Sequence, residues 1–496
     1  MTHAQIYHED DKEGLRIFLR QPSAVAGKIN AEQLGLQISD TINWHDNENW
    51  VSKVYGIIWN DNTPKQLIEI RWISGHLAGI LNASKWTKLQ FLSCGDNQLT
   101  ALIISANIEL QTLWCSNNQL TELDLSKNTK LKDLTCYKNQ LTTLDLSANT
   151  ELLDLSCQGN KLTELNLIDL ELQYLLCSNN QLSRLDIGTN KKLREINCHN
   201  NQLKDFNTST MNTELRYIDC SNNLLTQLEF TNLDNLYLDC SNNQLTQLEL
   251  NNVNSSTLNC SNNQLTLLDI NNVSYLNLDC SNNYLTELDL SVNQMWKLSC
   301  YTNHLLLSNL FELSELLLKN PPMIGTGDFS NQTLPAQTVV LGKKIIFPVP
   351  QNVLNGTYTE YTVTQNGIPA AESDYTVTDG EITFNKLGNY SVTMTNNAIM
   401  PKLNGSVIFD VIVKEVGIEE IENNSKIIIY PNPTNSYVTV MHDKLRKLNI
   451  EIFDITGKML SVYPCTGTTT VIDVSHLHTG IYFVRTDGKV AKLIKY

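Results

Sequence analysis

A chain of 496 residues exceeds what one compact hydrophobic core supports, so several domains or a repeat array are expected. It is 41% hydrophobic, yet no apolar run approaches the roughly 18 to 20 residues of a membrane helix. A formal net charge of -16 excludes nucleic acid and anionic lipid surfaces, because both need clustered Lys and Arg. The chain opens Met1-Thr2-His3-Ala4-Gln5, and Thr2-His3-Ala4 has the small-residue character of a signal-peptidase site. The start reads as a precursor already trimmed of its charged and apolar leader, with residues 1–60 forming a small helical N-terminal cap. A degenerate first coil follows, from Leu67-Ile68-Glu69-Ile70 through Leu77-Ala78-Gly79-Ile80-Leu81.

Eleven of the twelve cysteines then recur in register: Cys94, Cys115, Cys136, Cys157, Cys177, Cys198, Cys220, Cys240, Cys260, Cys280 and Cys300, with spacings of 20, 21 or 22 residues. Cys465 stands apart. Two residues before each of the eleven is an aliphatic side chain, from Leu92 to Leu298. Three after each is Asn97, Asn118, Asn139, Asn160, Asn180, Asn201, Asn223, Asn243, Asn263, Asn283 or Asn303, and five after is Leu. A period near 21 requires a coil that returns its apolar side chains to one axis every turn and is covered only by its neighbours. The L-x-C step alternates inward and outward, as a strand does. The Asn sits where the chain leaves the strand and turns inward. A carboxamide both donates and accepts, so stacked Asn residues can satisfy buried backbone groups from coil to coil; ionised Asp could not donate and Leu could do neither. The cysteines read as small buried hydrophobes, unpaired, in preference to a disulfide ladder.

This unit, L-x-C-x-x-N-x-L-x-x-L-x-L, resembles the bacterial leucine-rich repeats of internalin- and adhesin-like surface proteins. The resemblance implies a curved leucine-rich-repeat β-solenoid over residues 61–320, with a parallel sheet on its concave face and with Leu305–Leu318 as a closing cap. After Pro321-Pro322 the pattern changes. Alternating runs over 333–414, such as Thr338-Val339-Val340-Leu341, predict an antiparallel β-sandwich, and Gly388-Asn389-Tyr390-Ser391-Val392 resembles the penultimate strand of bacterial immunoglobulin-like domains, which implies an Ig-like module acting as a spacer. An acidic linker spans 415–426. Residues 427–496 predict a second small all-β sandwich. Pro431-Asn432-Pro433, Gly457 with Lys458, Gly480-Ile481-Tyr482, and a last strand carrying Lys492 and Lys495 together resemble the C-terminal sorting domain of the bacterial type IX secretion system. That resemblance implies signal-peptide export, contact with the type IX machinery, and an extracellular or outer-membrane-surface location. A basic, exposed final strand is the expected recognition edge.

No H-E-x-x-H, nucleophile elbow, Cys-His pair in a plausible cleft or phosphate-binding glycine loop occurs, so no enzyme, metal or cofactor is expected. Function is expected at the outward positions beside each Cys, which have no packing duty. The ligand-binding candidates are Trp114, Tyr137, Tyr174, His199, Tyr217, Asp219, Tyr237, Asp239, Asp279 and Tyr301. Tyr217 and Tyr237 are expected to stack beside Asp219 and Asp239, either as a recognition patch or as cross-strand packing. The second half-unit carries an acidic row, Asp124, Asp145, Asp186, Glu229, Glu249, Asp269 and Asp289, which reads as a solvated face in preference to a calcium ladder. The partner expected is a host or bacterial surface protein, with a glycan-binding or purely structural role as alternatives.

Overall fold

The computed structural model describes residues 6–37, 39, 49–207, 213–270, 276–290, 295–319, 326–347, 349–415, 428–430, 432, 434, 436–441, 449–464, 469–486 and 489–495. Thr2-His3-Ala4, Pro431, Pro433 and Cys465 therefore lie outside the described residues. The chain forms two compact units, residues 1–413 and 414–496.

The first unit starts with helices α1 (Glu9–Leu19) and α2 (Asn30–Gln33). Leu15, Phe18 and Leu19 of α1 are buried, and Phe18 stacks on Trp72 at 5.4 Å between ring centroids. Arg16 is buried in the helix, held by Glu9 at 2.7 Å and Glu13 at 3.1 Å. The cap closes the open edges of the first coil by side-chain hydrogen bonds, which is what a solenoid end requires. Asp11 accepts from the Leu67 amide at 2.8 Å. Asn30 donates to the Ala78 carbonyl at 3.0 Å and accepts from its amide at 3.1 Å.

A 14-stranded sheet forms the front wall of the solenoid. Its first strand, Ile57–Trp59, runs antiparallel to Leu67–Arg71; every later pairing is parallel. Register follows the repeat, with Leu92 opposite Leu113 and Leu113 opposite Leu134. Short parallel pairs, Arg184–Asp186 with Asp205–Asn207 and Gln227–Thr231 with Gln247–Asn251, mark the second wall. All eleven repeat cysteines are buried and unpaired. Burial pushes the Cys94 and Cys157 thiols up to about 12, so neither is a thiolate at neutral pH.

Each ladder Asn both donates to and accepts from the preceding coil. Asn118 Nδ2 donates to the carbonyl of Cys115 in its own coil at 3.2 Å and to that of Cys94 in the preceding coil at 2.9 Å. Its Oδ1 accepts from the Leu99 amide at 2.9 Å. The pattern repeats down to Asn303, which donates to Cys280 and Cys300 and accepts from Leu285. Two residues after each Cys the backbone is left-handed, from Asp96 (φ 56°) through Asn117 and Gly159 to Thr302 (φ 54°). Asn tolerates that region better than other side chains, which accounts for the first Asn of the Ser-Asn-Asn triplets.

A second ladder stands elsewhere in the coil. Asn107, Asn128, Asn149 and Asn190 are fully buried, and Asn128 Nδ2 donates to the carbonyls of Ile104 at 3.1 Å and Asn107 at 2.9 Å. These residues lie thirteen positions after Cys94, Cys115, Cys136 and Cys177; the same place after Cys280 is Asn293, outside the described residues, while Leu233, Val253 and Val273 take it after Cys220, Cys240 and Cys260.

The solenoid runs past residue 320. Strand Thr326–Asp328 pairs with Met295–Ser299, Phe329 fills the Cys place at full burial, and Asn331 takes the left-handed place at φ 55°. Gln332 stands in for the ladder Asn. Its Nε2 donates to the Cys300 carbonyl at 2.8 Å and to that of Phe329 at 3.2 Å, and its Oε1 accepts from Leu305 at 3.1 Å. Helix α3 (Leu307–Lys319) covers the last Cys-bearing coil with Leu307, Leu310, Leu313 and Leu317.

The following all-β region is not held apart as a spacer. Its buried residues Val392, Phe409 and Val411 belong to the same continuous core as the solenoid, because Phe329 and Leu403 carry that core across the junction. Nor is its main sheet wholly antiparallel: Gln332–Thr333, the residue pair that ends the ladder, lies parallel to Ser406–Lys414.

The second unit has a three-stranded antiparallel sheet (Ile428–Tyr430, Tyr437–Met441, Thr469–Asp473) and a four-stranded one (Asn449–Phe453, Met459–Pro464, Gly480–Thr486, Lys489–Lys495). Val438, Val440, Ile450, Ile452, Ile472 and Val484 form its core.

Candidate functional site

Side chains one and three residues before each Cys point out from the long sheet, because strand residues alternate faces. On this face the structure brings Tyr217, Tyr237, Asp219, Asp239 and His199 together. Tyr217 and Tyr237 are directly paired across consecutive strands, with centroids 4.8 Å apart and planes 5° from parallel. Burial, then Asp219 and the stacked Tyr237, raise the Tyr217 hydroxyl above its ordinary pKa; burial, then Asp239, do the same for Tyr237. Both rings stay neutral donors.

The carboxylates beside them are oriented by their own turns. Asp219 Oδ1 accepts from Ser221 Oγ at 2.7 Å, and Asp239 Oδ1 from Ser241 Oγ at 2.6 Å. Asp219 Oδ2 lies 3.1 Å from His199 Nδ1, while His199 Nε2 lies 3.2 Å from the Asn179 amide nitrogen. Because that amide only donates, Nε2 accepts and Nδ1 carries the proton toward Asp219. Asp279 repeats the arrangement with Ser281 at 2.6 Å, two rungs beyond Asp239.

Trp114 belongs to a separate cluster. It lies five rungs from Tyr217, roughly 24 Å at the spacing of paired strands. Its Nε1 donates to Asp133 Oδ2 at 2.9 Å, and its ring meets Phe91 edge-on at 5.1 Å. Arg71, ion-paired with Glu69, covers the other side of Phe91 at 4.8 Å. Asp154 on the next rung carries a raised pKa, from burial and then from Asp133. Sequence reasoning named Trp114 alone here as a ligand-binding candidate; only register shows that Phe91 and Asp133 meet it, with Arg71 over Phe91. Tyr174 is 40% exposed on the sheet between the two clusters, whereas Tyr137 and Tyr301, one residue after their cysteines, lie past the ends of their strands.

The acidic row on the second wall has local duties. Asp124 Oδ1 accepts from the Ser126 amide at 3.0 Å and Asp145 Oδ1 from Ser147 at 2.9 Å, and these bonds lower both carboxyls below the ordinary range. Asp186 caps Gly188 in the same way at 2.9 Å.

In the second unit, Asn432 ties itself to the last strand, donating to the Lys492 carbonyl at 2.6 Å and accepting from the Ile494 amide at 2.8 Å. Thr434 bridges Lys495 alongside. The final strand is thus not the open basic edge that its lysines suggest: Lys492 is exposed but Lys495 is 7% exposed, and Asn432 and Thr434 occupy part of that edge. Gly457 takes φ 84° in a turn that Asp454 closes through Thr456 and Lys458. Tyr482 is buried, with its hydroxyl donating to the His478 carbonyl at 2.7 Å, while Ile481 beside it faces out.

Residues 428–495 match the family model of the secretion system C-terminal sorting domain. That domain indicates export to the cell surface or beyond, and no helix among the described residues is long and apolar enough to cross a membrane. No curated protein matches the chain. Among solved structures, the chain is similar to the functional domain of InlJ from Listeria monocytogenes, which includes a cysteine ladder, at 22% identity, covering 71% of this chain and 94% of that one, with a TM-score of 0.38. It is also similar to the leucine-rich repeat domain of APL1B (22% identity, 50% and 83% covered, TM-score 0.41). A third likeness is to the internalin InlF of Listeria monocytogenes (20% identity, 66% and 97% covered, TM-score 0.35). Its own coils and its sorting domain make the chain a leucine-rich-repeat solenoid protein that is exported.

Proposed function

We propose that the exported chain is a non-catalytic binding protein whose long sheet grips a protein partner, with Tyr217, Tyr237, Asp219 and Asp239 at the centre. The observation that carries this reading is the tyrosine stack. Each ring commits one face to the other, so the pair presents edges and hydroxyls between oriented carboxylates. A sugar platform needs an open aromatic face, whereas edges and hydroxyls beside carboxylates suit the amides and cationic side chains of a polypeptide. The net charge of -16 points to a partner that is basic where it touches.

Cross-linking capture with the full chain tests this. A protein partner retained by the native chain and lost with Tyr217→Ala plus Tyr237→Ala supports it; binding on glycan arrays alone overturns it. Export through the type IX machinery is tested separately by deleting residues 428–496, which is expected to leave the product in the periplasm.

A further inference from the structure

Helix α3 does more than close the solenoid. Its buried leucines face the core, while Phe311, Glu312, Glu315 and Leu316 turn toward the second wall of the last coils. Between them lies a groove of about 940 Å³. Five carboxylates line it, Asp269, Glu287 and Asp289 from the coils and Glu312 and Glu315 from the helix; among the described lining residues there is no Lys, Arg or His. Its floor is apolar, and Leu267 is 60% exposed there. The base is pinned, because Asn309 accepts from the Leu288 amide at 3.1 Å and donates to its carbonyl at 3.2 Å. Those bonds occupy the backbone that a further strand would pair with, so an occupant must be held by side chains.

Two smaller cavities, of about 500 and 400 Å³, repeat this chemistry further up the same wall, one beside Asp145, Glu164 and Asp186, the other beside Glu122 and Asp124. The first also holds Arg184. The groove at α3 differs in combining the largest volume of the three with carboxylates on both rims.

We infer that this groove docks a polypeptide segment of a partner in which Lys or Arg residues flank a bulky apolar side chain. An apolar floor between two acidic rims leaves the floor wet and sets Glu287 on one rim against Glu312 and Glu315 on the other. A basic segment with an apolar centre relieves both at once, and neither an acidic nor a purely polar segment does. This surface is separate from the long sheet and stands whether or not that sheet binds.

The probe is a fluorescein-labelled nonapeptide of alternating lysine and leucine, titrated with the full chain and followed by fluorescence anisotropy. Saturable binding is expected that is absent for the same peptide with glutamate in place of lysine. Glu287→Lys with Glu312→Lys, both exposed and on opposite rims, should weaken binding at least tenfold while leaving the melting temperature unchanged. Leu267→Asp should weaken it comparably, and Tyr217→Ala with Tyr237→Ala should not affect it. Undiminished affinity in the charge-reversed variant, or equal binding of a lysine–serine peptide, overturns the assignment.

Discussion

Replacing Asn160 by Leu keeps the branching of the side chain and removes every polar contact of one ladder step. Asn160 Nδ2 donates to the carbonyls of Cys136 at 3.1 Å and Cys157 at 3.0 Å, and Oδ1 accepts from the Leu141 amide at 3.0 Å. The losses are unequal. Cys136 keeps a bond from Asn139 and Cys157 keeps one from Asn180, so each carbonyl falls from two amide partners to one. The Leu141 amide is left buried with nothing. An orphaned buried N–H costs about 1–3 kcal/mol and each weakened carbonyl about 0.5–1.5 kcal/mol, so the unit should lose about 2–6 kcal/mol. Guanidinium unfolding measures the total, with Lys161→Leu on the adjacent exposed position as a control expected within about 0.5 kcal/mol. Hydrogen exchange reads the local effect, which should fall most heavily on the Leu141 amide. Asn160→Asp adds a sign: its buried carboxyl titrates above its unfolded value, so that variant should recover stability below about pH 4, where the protonated acid regains a donor, and lose it as pH rises. A destabilisation below about 0.5 kcal/mol with unchanged exchange at Leu141 would refute the ladder as a stabilising device.

Three further outcomes follow from the same geometry. In the native state a thiol reagent should titrate no more than one of the twelve cysteines, Cys465, and all twelve in denaturant; additional fast-reacting thiols would contradict the burial of the ladder. Burial raises the Asp11 carboxyl to about 6, so its protonated form favours folding; stability should decline as pH rises through that range, and Asp11→Asn should flatten the slope, whereas parallel Tm-against-pH curves would refute this. Gln332→Ala removes three bonds at the end of the solenoid and should cost about 2–5 kcal/mol, with loss of exchange protection confined to residues near Leu305; a loss spread evenly over the repeats would count against Gln332 as the ladder's end.

The solenoid was legible because its core tolerates one small side chain and one carboxamide per coil, and both recur at fixed offsets. Legibility failed where the constraint could be met by other residues. Gly327-Asp328-Phe329-Ser330-Asn331-Gln332-Thr333-Leu334 follows the same outline as Leu278-Asp279-Cys280-Ser281-Asn282-Asn283-Tyr284-Leu285, but beside the sandwich core there is room for Phe, and the longer Gln reaches the same backbone groups. The second ladder was hidden for another reason: Asn107, Asn128 and Asn149 repeat in half the array only. On the long sheet, the tyrosine stack could be read from adjacent repeats. The Arg71–Phe91–Trp114–Asp133 cluster joins different offsets on different rungs, which periodicity alone does not align. Carboxylates on the second wall looked redundant in sequence, yet Asp124, Asp145 and Asp186 each fasten a turn.

Each ladder carboxamide reaches back by one winding and no further. Excising one complete winding therefore leaves the flanking two with the same set of partners they had before, and inserting one creates no new kind of junction. The reach of this molecule is consequently adjustable in increments of about 4.8 Å, with the helical start and the Phe329–Gln332 finish unaltered, so partners of different girth could be matched by changing the number of windings and leaving their design untouched.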